Sequence, residues 1–81
     1  MKKTVRVSYF AILREQRGLG AEQVSTEAST AAELYEELRG RHRFTLPAAR
    51  VRVAINDEFG PWSSEVREGD ALAFLPPVAV G

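Results

Sequence analysis

The feature that most constrains this chain is a single strongly amphipathic helical segment, "STAAELYEELRGR" at residues 29–41. Ala31, Leu34, Tyr35 and Leu38 recur at i, i+3, i+4 and i+7 and make one apolar stripe. Thr30, followed three residues later by Glu33, forms a capping-box pattern at the start. Gly40 predicts the stop. Glu33, Glu36, Glu37 and Arg39 fall mostly on the other side and read as a solvated helix face rather than an acid–base site. One such stripe cannot bury itself. It needs a second layer, and the rest of the chain offers strands.

Residues 4–11, "TVRVSYFA", alternate Val5, Val7 and Tyr9 with Thr4, Arg6 and Ser8, the period of a half-buried strand. Residues 12–20, "ILREQRGLG", are polar with two glycines and read as a loop. "AEQVSTEA", with Val24 as its anchor, predicts an exposed edge strand. After the helix, Phe44 and Leu46 are expected to anchor a connection to the core. Val51, Val53 and Ile55 alternate with Arg50 and Arg52 in a further strand, and "NDEFG" supplies a turn. "ALAFLP" is the last strand, ended by Pro76, which has no backbone N–H to donate.

The order is therefore β-β-α-β-(short β)-β, an α+β chain. One mixed sheet of four to five strands should carry the main helix across one face. The first and last strands are expected side by side and parallel at the centre. Phe74 should point in beneath the helix, with Leu75 on the opposite face beside Phe59. Residues 1–77 are expected to form the domain and residues 78–81 a flexible tail.

Composition removes several function classes. Lys+Arg is 11 and Asp+Glu is 11, so the formal net charge is +0, which argues against a nucleic-acid partner. There is no cysteine, hence no disulfide, thiolate nucleophile or cysteine-held iron–sulfur cluster. A single histidine argues against a metal site. No apolar run is long enough to cross a membrane, and Arg6 interrupts what would be a signal-peptide core, so a cytoplasmic protein is expected. His42 has no motif-like partner and reads as a surface histidine. Ser63 and Ser64 sit in no nucleophile motif, and Trp62 is expected to be partly buried.

What remains is the end, "FLPPVAVG". Pro76-Pro77 favours an extended backbone leaving the sheet in a set direction. Four further residues reach about 14 Å when extended, enough to enter another protein's pocket. Gly81 carries no side chain, so a catalyst can approach its carboxylate closely. Apolar side chains left exposed near this tail would mark a partner surface. The candidates are Phe59, Leu75, Pro76, Pro77, Val78, Ala79 and Val80.

Nearly end to end, the chain resembles the small subunit of molybdopterin synthase, a sulfur carrier with the ubiquitin-like β-grasp fold. "VRVSYFAILREQRG" is similar to that family's opening strand and turn, and "VRVAINDEF" to its later strand and turn. "REGDALAFLPPVAVG" is similar to its closing "dGDEvaffPPVxGG" signature, the most specific of the three. The resemblance implies that a partner E1-like adenylating enzyme uses ATP to adenylate the Gly81 carboxylate. Sulfur then displaces AMP to leave a thiocarboxylate. The large subunit of the synthase would accept the tail and pass the sulfur to cyclic pyranopterin monophosphate. The carrier itself would need no cofactor, and the catalytic groups would lie in the large subunit.

One position departs from the pattern: the family ends Gly-Gly, and this chain has Val80-Gly81. Valine is β-branched and bulkier where the tail threads a partner's channel. Two other readings stand beside the first. One is a β-grasp binding module that is never activated. The other is a carrier of another pathway, of the thiamine type, although "FLPPV" favours the molybdopterin branch.

Overall fold

In a computed structural model, which describes residues 2–77, the helix stripe meets the sheet as its spacing requires. The elements in chain order are β1 (Lys3–Tyr9), α1 (Ala11–Arg17), β2 (Ala21–Thr26), α2 (Ala31–His42), a short 3-10 turn (Ala48–Arg50), β3 (Arg52–Ile55), β4 (Glu58–Gly60) and β5 (Ala71–Leu75). The sheet order is β2-β1-β5-β3-β4, with β2 at an edge. β1 and β5 pair in parallel near the centre, and every other pairing is antiparallel. This is the mixed sheet expected from the strand periods, in the ubiquitin-like β-grasp arrangement that the family resemblance implies.

The alternation of β1 puts Val5, Val7 and Tyr9 on the α2 side, each no more than 1% exposed. Leu72 and Phe74 of β5 and Val53 of β3 join them, and α2 lays Ala31, Leu34, Tyr35 and Leu38 across them. The Tyr35 ring lies 5.1 Å from Phe74 and 5.3 Å from Trp62, which is half-buried. Phe44 is buried and Leu46 packs against the core, so the connection after α2 is anchored as expected.

Thr30 caps α2, its side chain accepting from the Glu33 backbone N–H. The Glu33 carboxylate reaches back one residue further than in the usual box, to the N–H of Ser29. Glu37 is not simply solvated: it accepts from the hydroxyl of Thr26, a buried polar residue of β2. Asn56 and Asp57 join β3 to β4 with φ of 52° and 72°. Two successive positive values are the signature of the turn whose twist suits a two-residue hairpin.

Three expectations are corrected. Residues 12–20 are not a loop: Ala11–Arg17 is a helix, held by Leu13, which is fully buried. Gly18 ends it in the left-handed conformation with φ 84°, its N–H donating to the Arg14 carbonyl. Seven residues with one buried anchor are too short to show a helical period. The first strand consequently stops at Tyr9 rather than Ala11. Gly40 does not end α2, which runs on to His42, and Arg43 takes the left-handed position with φ 58°.

Among the described residues no helix is long and apolar enough to cross a membrane.

Candidate docking surface

The alternation that buries Leu72 and Phe74 turns Ala71, Ala73 and Leu75 to the face of the sheet away from α2. On that face Leu75 pairs with Arg52, and Ala73 with Ala54, which in turn pairs with Phe59. The small side chains of Ala54 and Ala73 leave the sheet shallow beside Phe59, which stands out, and Leu75, which is half-buried. Phe59 is 62% exposed.

Leu75, Pro76 and Pro77 form a ridge between two shallow grooves. Phe59 and Arg52 line the first with this ridge. Phe10, Ile12 and Leu46 line the second. Arg50 borders both. The large apolar side chains left exposed among the described residues are Phe10, Ile12, Leu19 and Phe59, and three of these four border the ridge. Concentration of exposed apolar surface at one place marks an interaction site, whereas scattered exposure does not.

Of the residues singled out in the sequence, Phe59, Leu75, Pro76 and Pro77 are thus brought together. Val78, Ala79, Val80 and Gly81 lie outside the described residues. Phe10 and Ile12 were not anticipated. Their signal is the run Tyr9-Phe10-Ala11-Ile12, where continued alternation would have put a polar residue at position 10. Phe10 precedes α1 with extended backbone, and Ala11 follows in the left-handed region with φ 52°.

The second groove is built on held elements. Gln16 of α1 donates to the Thr45 hydroxyl at 2.9 Å and accepts from the Thr45 N–H at 3.2 Å. The Tyr35 hydroxyl donates to the Leu46 carbonyl at 2.7 Å. At the far end of α1, Arg17 makes two 2.8 Å hydrogen bonds to the Glu22 carboxylate of β2, and the Tyr9 hydroxyl donates to the same carboxylate at 2.7 Å. The Arg17 guanidinium holds the Glu22 carboxyl down at about 2, with the Tyr9 hydrogen bond adding to it. Burial, then the neighbouring carboxylate, pushes the Tyr9 phenol well above its ordinary range. The cluster fixes where α1 lies relative to the sheet, and with it Ile12.

His42 is a correction as well. It is not a surface histidine: its side chain is 14% exposed, with its ring 5.6 Å from Phe44 and Nε2 3.7 Å from Glu22. Burial and the nearby Arg17 charge push its pKa below the usual 6.5. It packs against the clamp and faces no nucleophile. Among the described residues no group of His, Cys, Asp or Glu is placed to hold a metal ion.

The chain's relatives bear on what such a surface serves. The family model described as the ThiS family matches residues 7–81. The molybdopterin synthase sulfur carrier subunit of Haemophilus influenzae is 35% identical over 80 residues, covering 95% of this chain and 99% of that protein. Among solved structures, the putative molybdopterin converting factor subunit 1 of Pyrococcus furiosus is similar with a TM-score of 0.76 at 29% identity, over 94% of this chain and 99% of that one. A chain in the BexX/CysO complex of Amycolatopsis orientalis is similar with a TM-score of 0.67 at 32% identity, over 95% of this chain and 99% of that one.

Proposed function

Because the chain belongs to the ThiS family, we propose that it is the sulfur-carrying small subunit of a molybdopterin synthase. The observation that carries this reading is the convergence of Phe59, Leu75, Pro76 and Pro77 on one exposed apolar surface, directly before the residues that bear the reactive end. A carrier whose chemistry sits on its own carboxylate needs what the described part provides: a rigid domain with a place for partners to grip.

In the proposed cycle an E1-like adenylating enzyme binds this surface and directs the Gly81 carboxylate at the α-phosphate of ATP. An acyl–phosphate bond forms, pyrophosphate leaves, and Gly81 becomes an acyl adenylate. A sulfur nucleophile supplied by a partner then attacks the acyl carbon. AMP leaves, and a thiocarboxylate remains. The large synthase subunit grips the same surface, takes in the tail, and transfers the sulfur to cyclic pyranopterin monophosphate. Activation by ATP places the cycle in the cytoplasm. The carrier holds no cofactor of its own, and the catalytic groups belong to the large subunit.

One observation favours a second reading. Val80 stands where the closing signature has its first glycine, and a β-branched residue restricts the backbone just before the reacting carboxylate. A binding module that docks without being activated would tolerate it. Incubation with the cognate adenylating enzyme and ATP decides between the two. Pyrophosphate release that depends on Gly81 is the expected result. Release only after Val80→Gly would establish the module instead.

A further inference from the structure

Among the described residues, the grooves on either side of the Leu75–Pro77 ridge are bordered by positive charge and by no carboxylate. Arg50 lines both, Arg52 lines the first, and neither groove has an Asp or Glu in its wall. The chain as a whole is neutral, so this is a local separation of charge. Four other arginines are matched, Arg17 with Glu22, Arg39 with Glu36, Arg41 with Glu37 and Arg67 with Glu65, while Arg6, Arg14 and Arg43 are not and line neither groove. Among the described residues Arg50 and Arg52 have no such partner. Arg52 instead lies over the Phe59 ring, its guanidinium carbon 5.3 Å from the centroid. That contact keeps the guanidinium beside the apolar surface without neutralising it.

We propose that this surface recognises a partner protein whose apolar patch is edged by Asp or Glu carboxylates, with Arg50 and Arg52 as the specificity-determining groups. The inference rests on the sulfur-carrier reading and names the chemistry of the large synthase subunit that would face this chain. Two arguments select a protein carboxylate over a polyanion. The groove walls are mostly apolar, provided by Phe59, Leu75, Pro76 and Pro77 and by Phe10 and Ile12, and a phosphate backbone would gain nothing from them. The chain's net charge of +0 also lacks the excess positive charge that nucleic-acid binding draws on. A guanidinium presents a planar fork that a carboxylate meets with two parallel hydrogen bonds. At the edge of an apolar contact such pairs set partner choice and association rate more than total affinity. Arg50, common to both grooves, is placed to do so whichever side of the ridge the partner covers.

The test titrates the full chain into the cognate large synthase subunit at about 50 mM and about 500 mM salt, between which the screening length falls from about 14 Å to about 4 Å. Wild type is compared with Arg50→Glu, Arg50→Ala, Arg52→Glu and Lys2→Glu. The last makes the same change of net charge away from both grooves. The expected result is that Arg50→Glu and Arg52→Glu weaken binding about tenfold or more at low salt, mainly through slower association, and flatten its salt dependence. Arg50→Ala weakens it less, and Lys2→Glu leaves it unchanged. Wild-type affinity and salt dependence in the arginine variants, with Leu75→Glu still weakening binding, would overturn the proposal and leave the carrier reading standing. Binding of wild type to a single-stranded oligonucleotide, lost in Arg50→Glu, would overturn it in favour of a polyanion. Absence of any binding between wild type and the large subunit would sink both readings.

Discussion

Phe74 and Leu75 are adjacent in β5 and serve opposite sides of the sheet: Phe74 is fully buried against Tyr35 and Trp62, while Leu75 pairs with Arg52 and lines the candidate docking surface. Substitutions at the two sites should therefore separate folding from binding. Phe74→Ala empties a packed position and is expected to cost about 3–5 kcal/mol, and Leu38→Ala in α2 about 2–5 kcal/mol. Leu75→Glu, at a half-buried position, is expected to cost only about 1 kcal/mol, while binding to the large synthase subunit is lost. Denaturant unfolding and a titration of the two proteins check this. Collapse of stability in Leu75→Glu would make Leu75 a core residue.

Gly40 lies inside α2, where the missing side chain costs conformational entropy and gains nothing visible. A methyl group added there meets nothing within 4 Å. Gly40→Ala is expected to stabilise the chain by roughly 0.5–1 kcal/mol, the usual helix-interior difference. The denaturation midpoint should rise with an unchanged slope. No rise would mean that this residue is not helical in solution.

Most of the framework was legible because its signals are periodic and long enough to repeat. The stripe of Ala31, Leu34, Tyr35 and Leu38 spans two turns, and Val5, Val7 and Tyr9 alternate over a whole strand. α1 was not legible, since its single buried anchor, Leu13, defines no period. The end of α2 was misplaced because glycine is the common left-handed cap, whereas here Arg43 takes that conformation three residues on. The docking surface was half legible. Leu75 and Phe59 follow from strand alternation, but Phe10 and Ile12 reach it only through α1. The clamp of Tyr9, Arg17, Glu22 and His42 joins four elements and left no local trace in the sequence.

That clamp makes a pH prediction. Arg17 and Tyr9 hold Glu22 at about 2, below its ordinary 4.5. The unfolded carboxyl thus takes up its proton first on acidification. The stability Glu22 contributes is complete above about pH 4.5 and is lost as pH falls toward 2. His42 is held below its ordinary 6.5 by burial, so the unfolded imidazole also protonates first, and stability begins to fall below about pH 6.5. Urea midpoints measured from pH 8 to pH 2 should decline in two stages. His42→Gln is expected to remove the upper stage and Glu22→Gln the lower, each with reduced stability at neutral pH. A single-stage profile unaffected by either variant would dissociate the clamp from acid unfolding.

The last prediction concerns Gly81 and Val80 together. Among the described residues the buried core runs from Val5 to Phe74, and Gly81 has no side chain to add to it. The unfolding midpoint is expected to stay within error while thiocarboxylate formation and sulfur transfer disappear. Appending one alanine after Gly81 should have the same effect, because it converts the reactive carboxylate into an amide. Val80 makes the sharper case. In the proposed cycle the carboxylate must reach the α-phosphate through a partner's channel, and a β-branched residue one position back limits both the backbone angles and the width available. If the cognate adenylating enzyme has a channel that fits valine, Val80→Gly changes the rate of pyrophosphate release little, or slows it by leaving the tail more freedom to lose. If valine is a brake, Val80→Gly speeds release while binding through Phe59 and Leu75 stays constant. Mass spectrometry of the product, reading the gain of one sulfur for one oxygen, shows whether activation proceeds to the thiocarboxylate. A chain that binds the adenylating enzyme, releases no pyrophosphate as it stands and releases it as Val80→Gly would place this protein among docking modules rather than carriers.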